Sequence, residues 1–137
     1  MDKKYFTVDS AQKSLEKNKE KFMKLYNLKK LIDALLSVRI DNNEIEIMEF
    51  VETIIKLNKE YHKMCFEFYK LLEKFQKTGI IIKDIDKGIL DFTAKFEGRD
   101  IFFCWKIGEE KIAFWHEIDS GFEERNRIID LEEEHLA

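Results

Sequence analysis

The sequence predicts an α+β fold in which a long antiparallel helical hairpin packs on a small antiparallel sheet. The 137-residue chain contains no proline, and its first half shows two long stripes of apolar residues spaced alternately by three and four. This is the coiled-coil period. Residues 89–118 instead contain three apolar runs separated by short glycine- or glutamate-containing connectors, which is typical of a β-meander of three to four strands.

The first helix is predicted to begin after Thr7, a favourable N-cap, with Phe6 before it and Asp9 in its first turn. Its stripe consists of Val8, Ala11, Leu15, Asn18, Phe22, Leu25, Lys29, Ile32 and Leu36. Asn18 and Lys29 weaken the stripe, so we expect this helix to need a partner. An asparagine on such a seam most often sets the register of helix pairing.

The second helix is predicted to follow a connector of residues 37–43, with Asp41 or Asn42 as its cap, and to end near Thr78 before Gly79. Its seam is Ile47, Val51, Ile54, Asn58, Tyr61, Cys65, Phe68, Leu72 and Phe75, flanked by a column of Met48, Ile55, His62 and Tyr69. A short connector makes the hairpin antiparallel, folded about residue 40. The extra apolar width indicates a third layer, for which the sheet is the obvious candidate.

The predicted strands are residues 89–96, 101–107 and 112–118, with residues 80–82 as a short edge strand. Turns at Gly98-Arg99 and Glu109-Glu110 fix a register, because side chains alternate between faces. One face then carries Leu90, Phe92, Ala94, Phe96, Ile101, Phe103, Trp105, Ile107, Ile112, Phe114, His116 and Ile118. The other face carries Asp91 opposite Lys106, and an apolar patch of Phe102, Cys104 and Trp115. A patch of this kind on a solvated face usually has a cover.

Length and charge predict one domain, divided into a helical hairpin (8–78), an antiparallel sheet (79–121) and an acidic C-terminal arm (122–137). The first 40 residues carry ten basic and five acidic side chains, whereas residues 79–137 carry eight and fifteen. These regions can attract each other within one molecule or between two. No apolar run approaches the ~20 residues of a membrane span, and the first residues lack a signal-peptide core. We therefore expect a cytoplasmic protein without membrane contact.

Two groups of residues are candidate sites. The candidate ligand-binding residues are Arg99, Trp105, Trp115, His116, Glu117, Asp119 and Arg125, near the end of the third predicted strand. The candidate interface is Phe102, Cys104 and Trp115. A histidine alone on an apolar face is more often a neutral core residue. A nucleophilic cysteine needs a nearby base, and Cys104 has no histidine on its predicted face. Cys104 is therefore more simply interpreted as a packing thiol than as a nucleophile.

The sequence predicts no metal site and no cofactor. It has no zinc-type spacing, no phosphate-binding glycine loop and no nucleophile elbow. Residues 84–88 begin like a calcium loop, but Ile89 and Lys95 stand where that loop needs glycine and glutamate, so the segment is predicted to be a turn.

Nucleic-acid binding is not expected either. Lys13, Lys17, Lys21 and Lys24 line one helix face, but acidic residues are interleaved with them and the chain is acidic overall, with a net charge of −4.

A longer motif string gives a family resemblance. The segment LDFTAKFEGRDIFFCWKIGEEKIAFWHEIDSGFEER, with FTVDSAQKSL near the start, resembles the uncharacterised prokaryotic "domain of unknown function" family numbered 2203. The residues that carry the resemblance are Asp91-Phe92, Gly98-Arg99, Cys104-Trp105, Gly108-Glu109, Trp115-His116-Glu117, Gly121-Phe122 and Arg125. Thr93 and residues 124–127 depart from the family pattern. The resemblance implies a helical half followed by this signature, and no activity.

Two classes of function follow from these observations. The leading hypothesis is a non-enzymatic interaction or structural protein that forms a homodimer or binds another protein, because the helical stripe is wide and the sheet carries an apolar patch. The alternative is a small-ligand site or enzyme built around Trp115, His116, Glu117 and Asp119. It requires those side chains to converge on one pocket.

Overall fold

The computed structural model describes residues 3–39 and 46–131. The elements are α1 (Val8–Leu36), α2 (Ile47–Gln76), β1 (Ile81–Asp84), β2 (Ile89–Phe96), β3 (Arg99–Lys106), β4 (Phe114–Glu117), a short 3-10 helix (Phe122–Glu124) and β5 (Asn126–Arg127). All strands join one sheet in the order β1-β2-β3-β4-β5, and every neighbouring pair is antiparallel. The predicted α+β fold is confirmed, with five strands instead of three to four.

Helix α1 begins where its capping residues predict. The side chain of Thr7 accepts a hydrogen bond from the Ser10 backbone N–H at 3.0 Å, and the Thr7 N–H donates to Ser10 Oγ at 2.8 Å. This reciprocal pair satisfies two of the N–H groups that a helix start leaves free. Phe6, just before the cap, is buried and meets the ring of Phe92 edge-on at 5.3 Å. The cap thereby ties the start of α1 to the sheet.

Helix α2 begins later than predicted, at Ile47, with Glu46 in the N-cap position. Asp41 and Asn42, the predicted caps, lie outside the described residues. The helix ends at Gln76, and Gly79 follows with a φ of +82°, which glycine adopts without strain. The hairpin register also differs from the prediction. The ring centroids of Phe22 and Phe75 lie 5.8 Å apart, which a hairpin folded about residue 40 would not allow.

The hydrophobic core is shared by the hairpin and one face of the sheet, and α1 lies at its centre. The fully buried ring of Phe22 contacts Phe75 of α2 and, at 6.3 Å, Trp105 of β3. The buried core residues of the sheet include Leu90, Phe92, Ala94, Ile101, Phe103, Trp105 and Trp115. Those of α1 are Ala11, Leu15, Phe22, Leu25 and Ile32. Only Phe68 and Phe75 are buried among the residues of α2.

The turn between β2 and β3 is one residue earlier than predicted. Glu97 and Gly98 occupy it with φ angles of 50° and 78°, the two positive values of a type I′ hairpin turn. Each residue of β2 therefore opposes a β3 residue two positions earlier than expected, and Asp91 pairs with Cys104 instead of Lys106. A shift of two positions leaves each side chain on its predicted face.

The β3–β4 register corrects the prediction more deeply. The connector runs from residue 107 to residue 113, and the Ile112 N–H within it donates to Gln12 Oε1 of α1 at 2.9 Å. Phe103 now opposes Trp115, and Phe102 opposes His116. This is a shift of one residue, which reverses the faces of a whole strand. Trp115 therefore points into the core, and His116 lies on the opposite face.

The predicted acidic arm is partly built into the sheet. Asn126 and Arg127 pair with β4 as strand β5, and the Ile128 N–H donates to the Ala113 carbonyl at 2.9 Å. Ile128 and Leu131 are buried in the core. The remainder of the predicted arm, residues 132–137, lies outside the described residues.

Candidate functional site

Three polar side chains are buried side by side on the face of the sheet opposite α1. Asp91 of β2 pairs directly with Cys104 of β3, and His116 of β4 pairs with Phe102, the preceding β3 residue on that face. Asp91, Cys104 and His116 are each at most 1% exposed. Their side-chain ligand atoms all lie within 4.8 Å of one another. We call these three residues the outer-face cluster.

Both ring nitrogens of His116 have an oxygen as partner. Nε2 lies 3.1 Å from Asp91 Oδ1, and Nδ1 lies 2.8 Å from the backbone carbonyl oxygen of Glu117. Burial by itself lowers the pKa of the imidazole. The hydrogen bonds to Asp91 and to the Glu117 carbonyl outweigh burial, so the pKa of His116 lies above its usual value.

Cys104 is not arranged as a nucleophile. Burial and then the nearby Asp91 carboxylate raise the pKa of its thiol to about 12, against a smaller opposite effect of Arg125. A nucleophilic cysteine needs a lowered pKa and a base with a free nitrogen. His116 has both nitrogens engaged, and the thiol is fully buried. The cluster therefore lacks the arrangement of a cysteine–histidine–aspartate catalytic triad.

The segment between β4 and β5, residues 118–125, folds back to cover this face of the sheet; we call it the covering segment. The guanidinium of Arg125 lies 4.1 Å from the ring centroid of Phe114 and 3.9 Å from that of Phe122. Its Nη1 donates to both carboxylate oxygens of Glu109, at 3.0 and 2.9 Å. The Glu109 backbone carbonyl also accepts the indole N–H of Trp105 at 2.9 Å. Arg125 thus links the covering segment to the β3–β4 connector.

The candidate ligand-binding residues do not converge on one pocket. Arg99 and Glu117 form a half-exposed ion pair, with Arg99 Nη2 2.7 Å from Glu117 Oε1. Their mutual hydrogen bonds raise the pKa of Arg99 and lower that of Glu117. Asp119 is exposed, and Trp115 points into the core, where its indole N–H has no hydrogen-bond partner among the described residues. His116 belongs to the outer-face cluster instead.

The predicted apolar patch is not formed as an exposed surface. Trp115 lies on the opposite face from Phe102 and Cys104, because of the one-residue shift in β4. Cys104 is buried, and the half-buried Phe102 packs on the ring of His116 at 5.4 Å. The three residues therefore do not form one continuous exposed surface.

An exposed apolar surface lies instead on α2. Six residues form it, and we call them the α2 stripe: Met48, Val51, Ile55, His62, Phe66 and Tyr69. The five apolar members are between 44% and 70% exposed. Four stripe members belong to the column that was expected to face the sheet, and the structure corrects that expectation. Among the described helices, neither is long and apolar enough to cross a bilayer.

The lysine face of α1 meets lysines of α2. Lys13, Lys17 and Lys21 line one shallow groove together with Lys74 and Lys77. The buried amide of Asn18 lies in the same groove and donates to the Ser14 carbonyl of its own helix at 2.9 Å. The side-chain N–H of Asn18 therefore bonds within α1 and does not bond across the hairpin seam.

Comparison with known proteins gives a family and no function. The model of the uncharacterised conserved protein family DUF2203 matches residues 4–128. The chain belongs to this family. No curated protein and no solved structure matches the chain. The match to the family covers both helices and all five strands.

The family motif recognised in the sequence comes together in space. Asp91, Cys104, Glu109, His116 and Arg125 are widely spaced along the chain, yet all lie within the outer-face cluster or its cover. Sequence reasoning selected His116 and Arg125 as ligand residues and Cys104 as an interface residue, but it did not join them. Asp91 was missed as a site residue, because its predicted partner was Lys106.

Proposed function

We propose that the protein is a non-enzymatic interaction module that forms a homodimer through the α2 stripe. The observation that carries this proposal is the exposure of the stripe. Met48, Phe66 and Tyr69 are 69%, 70% and 65% exposed, although large apolar side chains of this kind are normally covered when they form a contiguous surface. The proposed cover is the same stripe of a second copy.

The spacing of the stripe favours an antiparallel pair of α2 helices. Its members at positions 48, 51, 55, 62, 66 and 69 are separated by 3, 4, 7, 4 and 3 residues, a series that is the same from either end. At about 100° per residue, all six lie within an arc of about 60°. A twofold contact joins identical surfaces, so it pairs Met48 with Tyr69, Val51 with Phe66 and Ile55 with His62.

The size of the stripe is compatible with a stable contact. It spans about 30 Å along the helix axis at 1.5 Å per residue. The exposed fractions of its side chains correspond to roughly 500–600 Å² of surface per protomer, since a buried aromatic side chain covers 150–250 Å². A standard interface buries about 800 Å² per partner. Flanking side chains such as the 79% exposed Ile47 supply further area.

Oligomeric state tests the proposal directly. Light scattering of the full-length protein at micromolar concentrations is expected to give twice the chain mass of 16.5 kDa. Phe66→Glu places a charge at the centre of the contact and is expected to give a monomer that keeps its helical circular dichroism. Leu31→Glu is the matched control, because Leu31 is also exposed, at 53%, but lies on α1.

A charge pair tests the register. Val51→Lys and Phe66→Glu are each expected to weaken the dimer, whereas the double variant is expected to restore it, because each new lysine faces a new glutamate of the other copy. A wild-type protein that stays monomeric over a wide concentration range would contradict the dimer. A dimer that survives Phe66→Glu but is lost in Leu31→Glu would contradict the choice of surface.

A further inference from the structure

In the outer-face cluster, the hydrogen bond made by one ring nitrogen of His116 determines what the other ring nitrogen can bind. The Glu117 carbonyl oxygen only accepts hydrogen bonds, so its 2.8 Å contact requires a hydrogen on Nδ1 of His116. In a neutral imidazole, Nε2 then carries a lone pair and no hydrogen. This lone pair faces Asp91 Oδ1 at 3.1 Å, and a carboxylate oxygen is also a lone-pair donor. A cation is needed between the two atoms, either a proton or a metal ion.

The third member of the cluster favours one of these cations. A proton bridges only the His116 nitrogen and the Asp91 oxygen, and it leaves Cys104 as a neutral thiol beside Asp91 and Arg125. A divalent metal ion uses the imidazole nitrogen, the carboxylate oxygen and the sulfur together, and all three lie within 4.8 Å of one another. We propose that Asp91, Cys104 and His116 form a three-residue binding site for a divalent transition-metal ion, of which zinc fits best.

The donor set fits zinc, and so does the distance between the His116 and Asp91 donor atoms. Zinc takes thiolate, imidazole and carboxylate ligands in tetrahedral geometry, so the three residues would fill three positions and a water molecule the fourth. Nitrogen and oxygen ligands about 2.0–2.1 Å from one tetrahedral ion lie about 3.3 Å from each other. The separation between His116 Nε2 and Asp91 Oδ1 is 3.1 Å. The positions of these two atoms therefore need to change by only a few tenths of an ångström to bind the ion.

The surroundings of the cluster support a metal as well. A histidine ligand usually donates its second ring N–H to a carbonyl or carboxylate, which fixes the tautomer, and the Glu117 carbonyl has this position. A zinc ion with one carboxylate and one thiolate is electrically neutral, so its burial leaves no uncompensated charge. The thiol proton leaves when the ion binds, because cysteine ligates as the thiolate.

Metal titration of the purified full-length protein tests the site. After dialysis against a chelator and then metal-free buffer, calorimetry with Zn²⁺ is expected to show one site per chain. Co²⁺ in place of Zn²⁺ is expected to give the visible bands of a tetrahedral ion and a thiolate-to-metal charge-transfer band in the near ultraviolet. Both readings come from the native sequence and require no variant to fold.

Variants then locate the site. Cys104→Ser and His116→Gln are expected to weaken zinc binding by more than the 10–100-fold loss that is typical of changes around a metal ligand. The controls are Cys65→Ser and His62→Gln, which change the other described cysteine and histidine. They are expected to keep the stoichiometry and the cobalt spectrum.

Three results would overturn the inference. One is a native protein that binds no zinc, which would identify the pair as a proton-bridged histidine–aspartate. Another is a cobalt spectrum without the thiolate band. The third is full zinc binding by folded Cys104→Ser. None of these outcomes bears on the dimer, because the α2 stripe shares no residue with the cluster.

Discussion

Replacement of Arg125 by alanine is expected to destabilise the protein and to expose the outer-face cluster. Arg125 lies between the rings of Phe114 and Phe122, with distances to the ring centroids of 4.1 and 3.9 Å, and donates to both oxygens of Glu109. Its side chain is only 13% exposed. These contacts are therefore shielded from water and hold the covering segment over Cys104.

The expected loss follows from these contacts. A hydrogen bond to a charged group contributes about 1.5–3 kcal/mol, and a cation–π contact contributes about 0.5–2 kcal/mol depending on its exposure to water. The contributions overlap because one guanidinium makes them all. We therefore expect the free energy of unfolding to fall by about 2–4 kcal/mol. A fall of 2 kcal/mol raises the population of open states about 30-fold.

Two measurements follow this change. Urea unfolding monitored by tryptophan fluorescence gives the free energy of unfolding. The rate at which a thiol reagent modifies Cys104, in a Cys65→Ser background and metal-free buffer, gives the population of open states, and we expect it to rise about 30-fold or more. The background removes Cys65, which is half-buried and the only other cysteine of the chain.

Arg127→Ala is the matched control, two residues further along the chain. Arg127 is 68% exposed and pairs with Asp130 at 3.2 Å, so its loss is expected to cost less than about 1 kcal/mol. Equal losses for the two variants would refute the stabilising role of the stacked guanidinium. An unchanged rate of Cys104 modification in Arg125→Ala would refute the covering role of the segment.

Three further predictions concern the fold. Leu25→Ala is expected to cost about 3–5 kcal/mol and Leu31→Ala less than half as much, because these α1 residues are 0% and 53% exposed. Circular dichroism and tryptophan fluorescence should give coincident transitions if hairpin and sheet unfold as one unit. Gly88→Ala should cost at least 1 kcal/mol more than Gly98→Ala by urea unfolding, on the order of an overpacking cost. Both glycines have positive φ, but a Cβ at Gly88 meets the side chain of Ile107 at 2.5 Å, whereas Gly98 has open space. Two lysines hold the pKa of Asp100 at about 2, so its stabilising effect is present above about pH 4 and is lost as the pH falls through 2. Acid titration of stability should show this loss in the wild type but not in Asp100→Asn.

The parts of the fold that were predicted correctly are those determined by residues close together in the sequence. The cap at Thr7, the helix stop before Gly79 and the alternating runs of the first two meander strands all depend on residues a few positions apart. The predicted start of α2 was wrong, since the helix begins at Ile47. The predicted register of the hairpin was wrong as well, since Phe22 lies beside Phe75. Nothing in the spacing of apolar residues measures the length of a connector.

The candidate site could not be predicted either, because it also depends on the length of a connector. Its assembly depends on the connector between β3 and β4, which is longer than a two-residue turn and is fastened to Gln12 of α1, about 100 positions away. The β3–β4 register with this connector differs by one residue from the register of a two-residue turn. His116 then moves from the apolar face to the side of Asp91 and Cys104. A sequence pattern with period two does not show how many residues a connector contains, and so it does not show this shift.

For the α2 stripe, the pattern itself was visible in the sequence, but its exposure was not. The column of Met48, Ile55, His62 and Tyr69 was visible in the sequence as extra apolar width, and its palindromic spacing with Val51 and Phe66 could be read there too. What the sequence could not show is that α1 already fills the space between α2 and the sheet. Phe22 of α1 contacts both Phe75 and Trp105, so α1 lies between α2 and the sheet at this level of the hairpin.

Stability alone does not account for the outer-face cluster. Buried ionic pairs are often no more stabilising than apolar side chains of the same volume, because desolvation offsets their attraction. Asp91 and His116 are buried on a sheet face whose neighbouring side chains include the apolar Phe102 and Phe114. A cation that binds the folded chain and not the unfolded one supplies the missing free energy in proportion to its affinity. Zinc-dependent stability is therefore the property that separates a metal site from a structural ion pair.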